Sequence, residues 1–267
     1  MKSIIAALIS LTFLYPLAHT TSAHPVKNPH QELVKKLTPS FTKEKIEKIF
    51  SDSRIRLDRS VLPAKPDPQK KQKTREELQR EFVSDGSIER GLQYLLLNKD
   101  MLFKAQNAYN IDPFTIVALL RIETNFGAFT REDSLIINTL YSLYVLMPQW
   151  RSFAVRELTC FLKSAEREGW DIFSIGGSNR GAFGYPQFIP CSFEPFAADG
   201  DGDGKINLFS DADAIMSVAS YLSKNDWSDR WQNQHRAILR YNQDSAYRDF
   251  ILEYREKLMR IYFSSAP

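Results

Sequence analysis

The chain has 267 residues, 43% of them hydrophobic and 25% charged, a composition that is typical of a globular protein and excludes a disordered chain. Its formal net charge of +3 is only mildly basic, so no nucleic-acid partner is expected, although an anionic polymer such as a cell wall would not be repelled. The length suits one large domain, or one domain with a smaller appendage.

Residues 1–23 are typical of a secretory signal peptide. A basic second residue precedes an apolar run from Ile4 to Leu17, and small residues that suit cleavage end at Ala23. The run is short for a membrane-spanning helix and contains Pro16, and no Cys that could carry a lipid lies near the cleavage site. We therefore predict an exported or periplasmic protein without a stable membrane anchor. An uncleaved anchor is the alternative.

Residues 24–78 are predicted to form a helical N-terminal region followed by a linker. Apolar residues recur at helical spacing in two stretches, and Thr42 is a suitable cap for the second. The two apolar stripes are Leu33, Val34 and Leu37, and then Ile46, Ile49 and Phe50. The stretch VLPAKPDPQKKQKTR is rich in Pro and Lys, which favours a solvated linker. A basic contact with an anionic surface is the alternative.

Helical patterns dominate residues 79–267, so we predict an all-α domain there. Residues 176–208 are irregular and hold most of the glycines, and such a segment favours binding or catalysis. The two cysteines, Cys160 and Cys191, lack metal-type spacing, and both a disulfide and a free pair stay open. The predicted helices cover residues 88–109, 113–126, 134–146, 150–168, 211–224, 232–241 and 245–262.

The helix that follows Asp112 carries a carboxylate beside its apolar face. Asp followed by Pro suits a helix start, and the helix is predicted to stop at Gly127. Glu123 lies four residues after Leu119, next to the apolar stripe, whereas Arg121 is predicted to point elsewhere. Apolar surroundings and the negative helix end both raise a carboxyl pKa, which suits a general acid. A boundary Glu paired with a Lys or Arg is the alternative.

The stretch GGSNRGAFGYPQFIPCSF combines flexible glycines with polar groups among aromatic rings. Ser178, Tyr185 and Gln187 supply hydrogen-bonding groups, while Gly181 and Gly184 permit backbone shapes that other residues avoid. Amides and hydroxyls beside flat apolar faces suit the binding of a sugar. A structural Ω-loop is the alternative.

The stretch DGDGDGKINLFSDADA, residues 199–214, follows the pattern of a calcium loop through its first half. Asp199, Asp201 and Asp203 take the first, third and fifth places, with Gly at the sixth. Ser210 stands at the twelfth place, where the pattern requires a bidentate Glu. A metal-free acidic turn, with Asp211 as the cap of the next helix, is the alternative.

Four motifs in order resemble the membrane-bound type B family of lytic murein transglycosylases. RIETNFG resembles the family's Glu-Thr-x-x-Gly, and GSNRGAFGYPQFIPCSF is similar to its Gly-Ser-x-x-Gly-Ala-Met-Gly-x-x-Gln-Phe-x-Pro-Ser-Ser-Tyr. DGDGDGKINLFSDADAIMSVASYL and YNQDSAY resemble its acidic loop with the following helix and its Tyr-Asn element. The resemblance covers roughly residues 30 to 260. It implies a lysozyme-like α-helical fold with an irregular cleft segment and one EF-hand-like loop.

The resemblance implies cleavage of the MurNAc–GlcNAc bond of peptidoglycan strands without water, which leaves 1,6-anhydromuramoyl ends. Glu123 matches the single acid/base. Ser178 would orient it by a hydrogen bond, and Gln187 would contact the saccharide. Tyr241 and Asn242 would line the cleft near the reacting sugar. Partners in cell-wall synthesis or remodelling stay unknown.

The resemblance also implies how the acidic loop, residues 199–213, is closed. The family uses an Asp at the fifteenth place, here Asp213, instead of a Glu at the twelfth. The ligands of a structural Ca²⁺ would then be Asp199, Asp201, Asp203, the carbonyl of Lys205, and Asp213.

Several positions depart from the family pattern. Phe183, Pro186, Cys191 and Phe193 replace its usual residues and are predicted to alter the cleft wall. Pro-Gln-Trp-Arg at 148–151 replaces Pro-Arg-Arg, which predicts weaker or shifted recognition of the peptide stem.

Three other functions fit parts of this sequence. One is a muramidase that hydrolyses the same bond with water. Another is a wall-binding or structural module with impaired catalysis. The third is a calcium sensor, which normally has paired loops, whereas this sequence has one.

Overall fold

The computed structural model describes residues 28–63, 73–130 and 134–264. The predicted signal peptide and the middle of the predicted linker lie outside these residues. The described residues form twelve α-helices and one two-stranded sheet, and none of these helices is both long and apolar enough to span a membrane. The α-helices are α1 (Pro29–Leu37), α2 (Lys43–Phe50), α3 (Arg75–Phe82), α4 (Asp85–Leu97), α5 (Lys99–Tyr109), α6 (Pro113–Thr124), α7 (Ile136–Leu146), α8 (Arg151–Glu168), α9 (Pro190–Phe196), α10 (Asp211–Lys224), α11 (Trp231–Tyr241) and α12 (Ser245–Ser264); the strands are β1 (Ser134–Leu135) and β2 (Gly176–Gly177).

The chain divides into two compact units. The Glu123 unit comprises the described residues of 67–129 and 196–267, and the Ser178 unit comprises those of 17–66 and 130–195. Helices α3 to α6 and α10 to α12 belong to the first unit. Helices α1, α2, α7 and α8, the sheet, and nearly all of α9 belong to the second.

Helix α6 is the central helix of the Glu123 unit. All of its residues are buried, and α4, α5, α10 and α12 pack against it. A helix that is apolar on nearly every side is stable only in the interior of a domain. Arg121, which was predicted to point away from the apolar stripe beside Glu123, is buried as well, with a residue exposure of only 7%.

The two ends of α6 follow from local chemistry. Asp112 Oδ1 accepts the Thr115 N–H at 2.9 Å, which confirms the predicted cap. At the other end Asn125 adopts the left-handed conformation, with φ of 51°, and the helix ends at Thr124. The predicted stop at Gly127 is therefore wrong, because Asn also tolerates this conformation.

The predicted helix over residues 88–109 is two helices, α4 and α5, which meet at Asn98. The Asn98 side chain donates to the Tyr94 carbonyl at 3.1 Å, and its backbone leaves the helical region with φ of −107° and ψ of 20°. Asn side chains compete with the helix ladder for backbone groups, which accounts for the break.

The Ser178 unit joins its N-terminal helices to the loop-rich segment. Thr42 Oγ1 accepts the Lys45 N–H at 3.3 Å, which confirms the predicted cap of α2. Strands β1 and β2 pair in antiparallel fashion, so the predicted helix at 134 begins two residues later. Cys160 and Cys191 form a disulfide that links α8 to α9.

Candidate active site

Glu123 lies near the end of α6, and only 5% of its surface is exposed. Its Oε1 accepts a hydrogen bond from the Tyr247 hydroxyl across 2.5 Å. Burial raises the pKa of Glu123 to about 7, while the hydrogen bond from Tyr247 acts in the opposite direction. Desolvation penalises the charged carboxylate, and a hydroxyl donor partly relieves that penalty. The carboxyl group can therefore hold or release a proton near neutral pH.

Tyr247 is the site residue that sequence reasoning missed. It lies in α12, is fully buried, and has a phenol pKa raised well above its usual range, chiefly by burial and then by the Glu123 charge. It therefore stays a proton donor in the hydrogen bond to Glu123. The only sequence signal was the last residue of the YNQDSAY motif, six places after Tyr241.

Tyr241 and Asn242 lie at the end of α11, in the same unit as Glu123. Burial and then the charge of Glu123 raise the pKa of the Tyr241 phenol well above its usual range. Its ring packs edge-on against Tyr221, with centroids 4.6 Å apart. Asn242 Oδ1 accepts the Asp244 N–H at 3.2 Å. Tyr241 thus stands within electrostatic reach of Glu123.

Asp112 is fully engaged at the start of α6. Its oxygens accept from the Thr115 backbone and hydroxyl, and it pairs with Arg255 across 3.2 Å. The influences on the Glu123 pKa are burial and Tyr247 alone. Among the described residues, no second carboxylate therefore perturbs the candidate acid.

Ser178 holds together the turn that follows β2 in the Ser178 unit. Its Oγ accepts the N–H groups of Arg180 at 3.3 Å and Ala182 at 3.1 Å, and its own N–H donates to the Ala182 carbonyl at 2.8 Å. A Cβ on Gly177 would lie 2.4 Å from the same carbonyl, so only glycine fits there. The hydroxyl of Ser178 is fully buried and acts as a loop cap.

Gln187 lies in the same loop and is half-buried. It adopts φ of 52°, and its Nε2 donates to the Gly184 carbonyl at 2.9 Å. Paired backbone bonds between Phe183 and Phe188 close the turn around it. The loop therefore holds Gln187 in an uncommon backbone conformation.

Phe183 and Phe193 pack around Trp170 inside the Ser178 unit. Their rings lie 5.7 and 4.8 Å from that of Trp170, and their exposures are 2% and 0%. The prediction that these two residues form part of a cleft wall is wrong, because both rings fill the interior. Edge-to-face packing of this kind stabilises the base of the loop.

The acidic loop brings three of its predicted ligands together. Carboxylate oxygens of Asp199, Asp201 and Asp213 lie within 4.8 Å of one another, and Asp203 is outside this group. Asp199 accepts the N–H groups of Gly202 at 2.6 Å and Gly204 at 2.8 Å, which winds the loop around it. Such a set of oxygen donors suits a hard cation.

Asp213 closes the loop from the first turn of α10. Its carboxylate accepts the N–H groups of Gly200 at 2.7 Å and Asn207 at 2.6 Å, and it is 2% exposed. The helix cap is Ser210, whose hydroxyl accepts the Asp213 N–H, so the suggested cap at Asp211 is wrong. Asp211 instead accepts the Tyr94 hydroxyl at 2.7 Å.

The family model described as the transglycosylase SLT domain matches residues 28–248. The chain belongs to this family.

Among relatives of this SLT-domain protein is the membrane-bound lytic murein transglycosylase B of Escherichia coli strain K12. The two are 33% identical over 148 residues, which is 55% of this chain. The match covers 41% of that relative, so the chain spans less than half of its length.

Solved structures of two lytic transglycosylases share the fold. SltB1 from Pseudomonas aeruginosa is 26% identical, with a TM-score of 0.78 over 87% of this chain and 99% of that one. Slt35 from Escherichia coli, solved in complex with calcium, is 22% identical, with a TM-score of 0.76 over 87% of this chain and 93% of that one. The predicted all-α, lysozyme-like fold is therefore confirmed.

Proposed function

We propose that this protein is a peptidoglycan lytic transglycosylase that cleaves the MurNAc–GlcNAc bond and leaves 1,6-anhydroMurNAc ends. Family membership supports the reaction class. The observation that carries the proposal is the buried Glu123 carboxyl, whose pKa is raised to about 7 and whose partner is a hydroxyl. Glycosidases that use water generally need a second carboxylate at a set separation. A single acid/base suits a reaction in which the substrate supplies its own nucleophile.

In the first step, protonated Glu123 gives its proton to the glycosidic oxygen. The bond between that oxygen and C1 of MurNAc breaks, the electron pair stays on the leaving GlcNAc oxygen, and positive charge develops at C1. Glu123 is left as a carboxylate. The Tyr247 hydrogen bond favours that charged form and so assists the proton transfer.

In the second step, the same carboxylate takes the proton of the MurNAc C6 hydroxyl. The C6 oxygen forms a bond to C1, which neutralises the developing charge and closes the 1,6-anhydro ring. Glu123 returns to its protonated form. No water is consumed, and atoms and charge balance over the two steps.

The other site residues act on the sugar or hold the loop that would bind it. Tyr241 and Asn242 line the cleft near the reacting MurNAc, Gln187 contacts the saccharide, and Ser178 shapes the loop that carries Gln187. The electrostatic coupling between Tyr241 and Glu123 supports the first of these roles. The capping bonds of Ser178 support its part in shaping that loop.

The acidic loop binds a structural Ca²⁺ in this proposal. Asp199, Asp201, Asp203, the carbonyl of Lys205, and Asp213 would hold it. Support comes from the three clustered carboxylates and from the calcium complex of Slt35. The cation would offset the mutual repulsion of the acids and fix the loop to α10.

The site of action is the periplasm or another exported location. The signal-like pattern of residues 1–23 and the cell-wall substrate support this location. The membrane attachment named for the Escherichia coli relative belongs to that protein.

The test is mass spectrometry of muropeptides after digestion of purified peptidoglycan, beside a Glu123→Gln variant. We expect 1,6-anhydromuramoyl products that disappear with the variant. Reducing-end products would show a hydrolytic muramidase instead. A folded protein that binds peptidoglycan but releases no products would favour a binding module.

A further inference from the structure

Arg121 is a buried cation in the middle of the Glu123 unit. It lies on the central helix α6, two residues before Glu123, and 7% of its surface is exposed. Burial lowers the pKa of its guanidinium, and the ion pairs among the described residues do not include Arg121. Placing such a charge in an interior is costly, so a specific contact must hold it there.

The specific contact is with Ser87, in the first turn of α4. Arg121 Nε donates to Ser87 Oγ across 3.0 Å, and the guanidinium faces the Phe82 ring at 5.7 Å. The backbone carbonyl of Ser87 accepts the Tyr254 hydroxyl at 2.7 Å. Ser87, which is fully buried, thus links α4 to both α6 and α12.

Tyr254 packs closely against Gly91 on α4. A Cβ on Gly91 would lie 2.2 Å from the Tyr254 hydroxyl oxygen, which a real side chain could not tolerate. Gly91 therefore leaves space for the phenol, and Ser87 supplies its acceptor. Together they fix where α12 lies along α4.

Tyr254 lies seven residues after Tyr247, two turns along the same face of α12 and about 10 Å away. Arg121 and Glu123 are two residues apart on α6, so their side chains leave the helix in different directions, Arg121 toward Ser87 on α4 and Glu123 toward Tyr247 on α12. Fixing Tyr254 through Ser87 and Arg121 therefore also fixes Tyr247 opposite Glu123.

We propose that Arg121 is a positioning residue that, through Ser87 and Tyr254, holds α12 in the register that keeps the Tyr247 hydroxyl on the Glu123 carboxylate. This inference rests on the proposed function only where it treats Glu123 as the acid/base. The register of α6, α4 and α12 is a claim about the folded protein and can be measured without substrate.

Among the described residues, a small set of titratable groups acts on the two ends of this network. Arg90 and Glu81 act on the Arg121 guanidinium, besides Tyr254. Tyr247 acts on Glu123 by its hydrogen bond, and the Glu123 charge in turn acts on Tyr241.

The quantity to measure is the pKa of Glu123. It is obtained by NMR titration of protein that carries ¹³C at its Glu carboxyl groups, and the Glu123 signal is assigned by its loss in Glu123→Gln. Tyr247→Phe removes the hydrogen bond and is expected to raise that pKa by about one unit. Arg121→Met keeps an unbranched apolar stem but removes the guanidinium, and it is expected to give a fraction of the same upward shift. Tyr254→Phe deletes one oxygen, should act in the same direction, and serves if Arg121→Met does not fold.

The decisive comparison is a double-mutant cycle between residues 121 and 247. If Arg121 acts through Tyr247, then Arg121→Met produces no further shift in the Tyr247→Phe background. A shift of equal size in both backgrounds would mean a direct charge effect and would overturn the proposal. An unchanged Glu123 pKa in the folded variants Arg121→Met and Tyr254→Phe would also overturn the proposal.

Arg90→Met is the matched control, because it removes a neighbouring guanidinium that is exposed. It is expected to leave the Glu123 pKa in place. If the wild-type protein releases no anhydro products, the proposed function fails, but the titration still tests the network.

Discussion

Glu157 Oε2 accepts the backbone N–H of Cys191 across 2.8 Å, although the two residues lie 34 positions apart in the chain. Cys191 is also disulfide-bonded to Cys160, one turn further along α8. The start of α9 is therefore fastened to α8 by a covalent bond and a charged hydrogen bond side by side. These two links close the loop that carries Ser178 and Gln187.

Glu157→Ala is expected to lower the free energy of unfolding by about 2–4 kcal/mol. The Glu157 carboxylate is fully buried, and its loss leaves the Cys191 N–H without its acceptor. Urea denaturation measures the change. Glu166→Ala is the control on the same helix, because Glu166 is exposed and should contribute less than about 1 kcal/mol. Equal effects of the two variants would contradict the role given to Glu157.

Reduction of the disulfide is expected to destabilise the protein by about 3–4 kcal/mol, because Cys160 and Cys191 close a loop of 31 residues. The midpoint of urea unfolding with and without reductant measures the loss. The Cys160→Ser/Cys191→Ser double variant should unfold at the urea midpoint of the reduced wild-type protein, and reductant should not change its midpoint. A wild-type midpoint that does not move would show that the bond adds no stability.

Glu123→Gln is expected to stabilise the protein at alkaline pH. The folded-state pKa of about 7 lies above the ordinary 4.5, so folding favours the neutral acid. Wild-type stability therefore falls as pH rises from about 4.5 to about 7, and the loss reaches about 3 kcal/mol above that window. Gln cannot ionise, so the variant should exceed the wild type at pH 8 and match it near pH 4. Denaturation curves at both pH values test this, and a constant difference would argue against a raised pKa.

Calcium at a hundred times its dissociation constant is expected to raise the free energy of unfolding of the wild-type protein by about 3 kcal/mol, and its melting temperature with it. Asp213→Asn should abolish most of this gain, because Asp213 belongs to the carboxylate cluster. Asp226→Asn is the control, since Asp226 pairs with Arg240 at the surface of the same unit. Calorimetric titration with Ca²⁺ measures the binding directly, and a wild type that takes up no calcium would remove the metal from the proposal.

Local chemistry was enough to predict much of this fold. The cap at Asp112 and the bounds of α10 follow from neighbouring residues, as does the raised pKa of Glu123, which the apolar spacing around it suggested. Tyr247 could not be found in this way, because it lies 124 positions from the carboxylate that it contacts. The burial of Arg121 was missed for the same reason, since its acceptor Ser87 comes from another helix.

The complete burial of α6 has a kinetic consequence. Amide hydrogens of a helix enclosed by four others exchange with solvent only when the whole unit opens, whereas those of exposed helices exchange by local fraying. The segment that carries Glu123 should therefore be among the last to take up deuterium. Heat or denaturant that loosens the periphery would leave the carboxyl group in place until the unit unfolds as a whole.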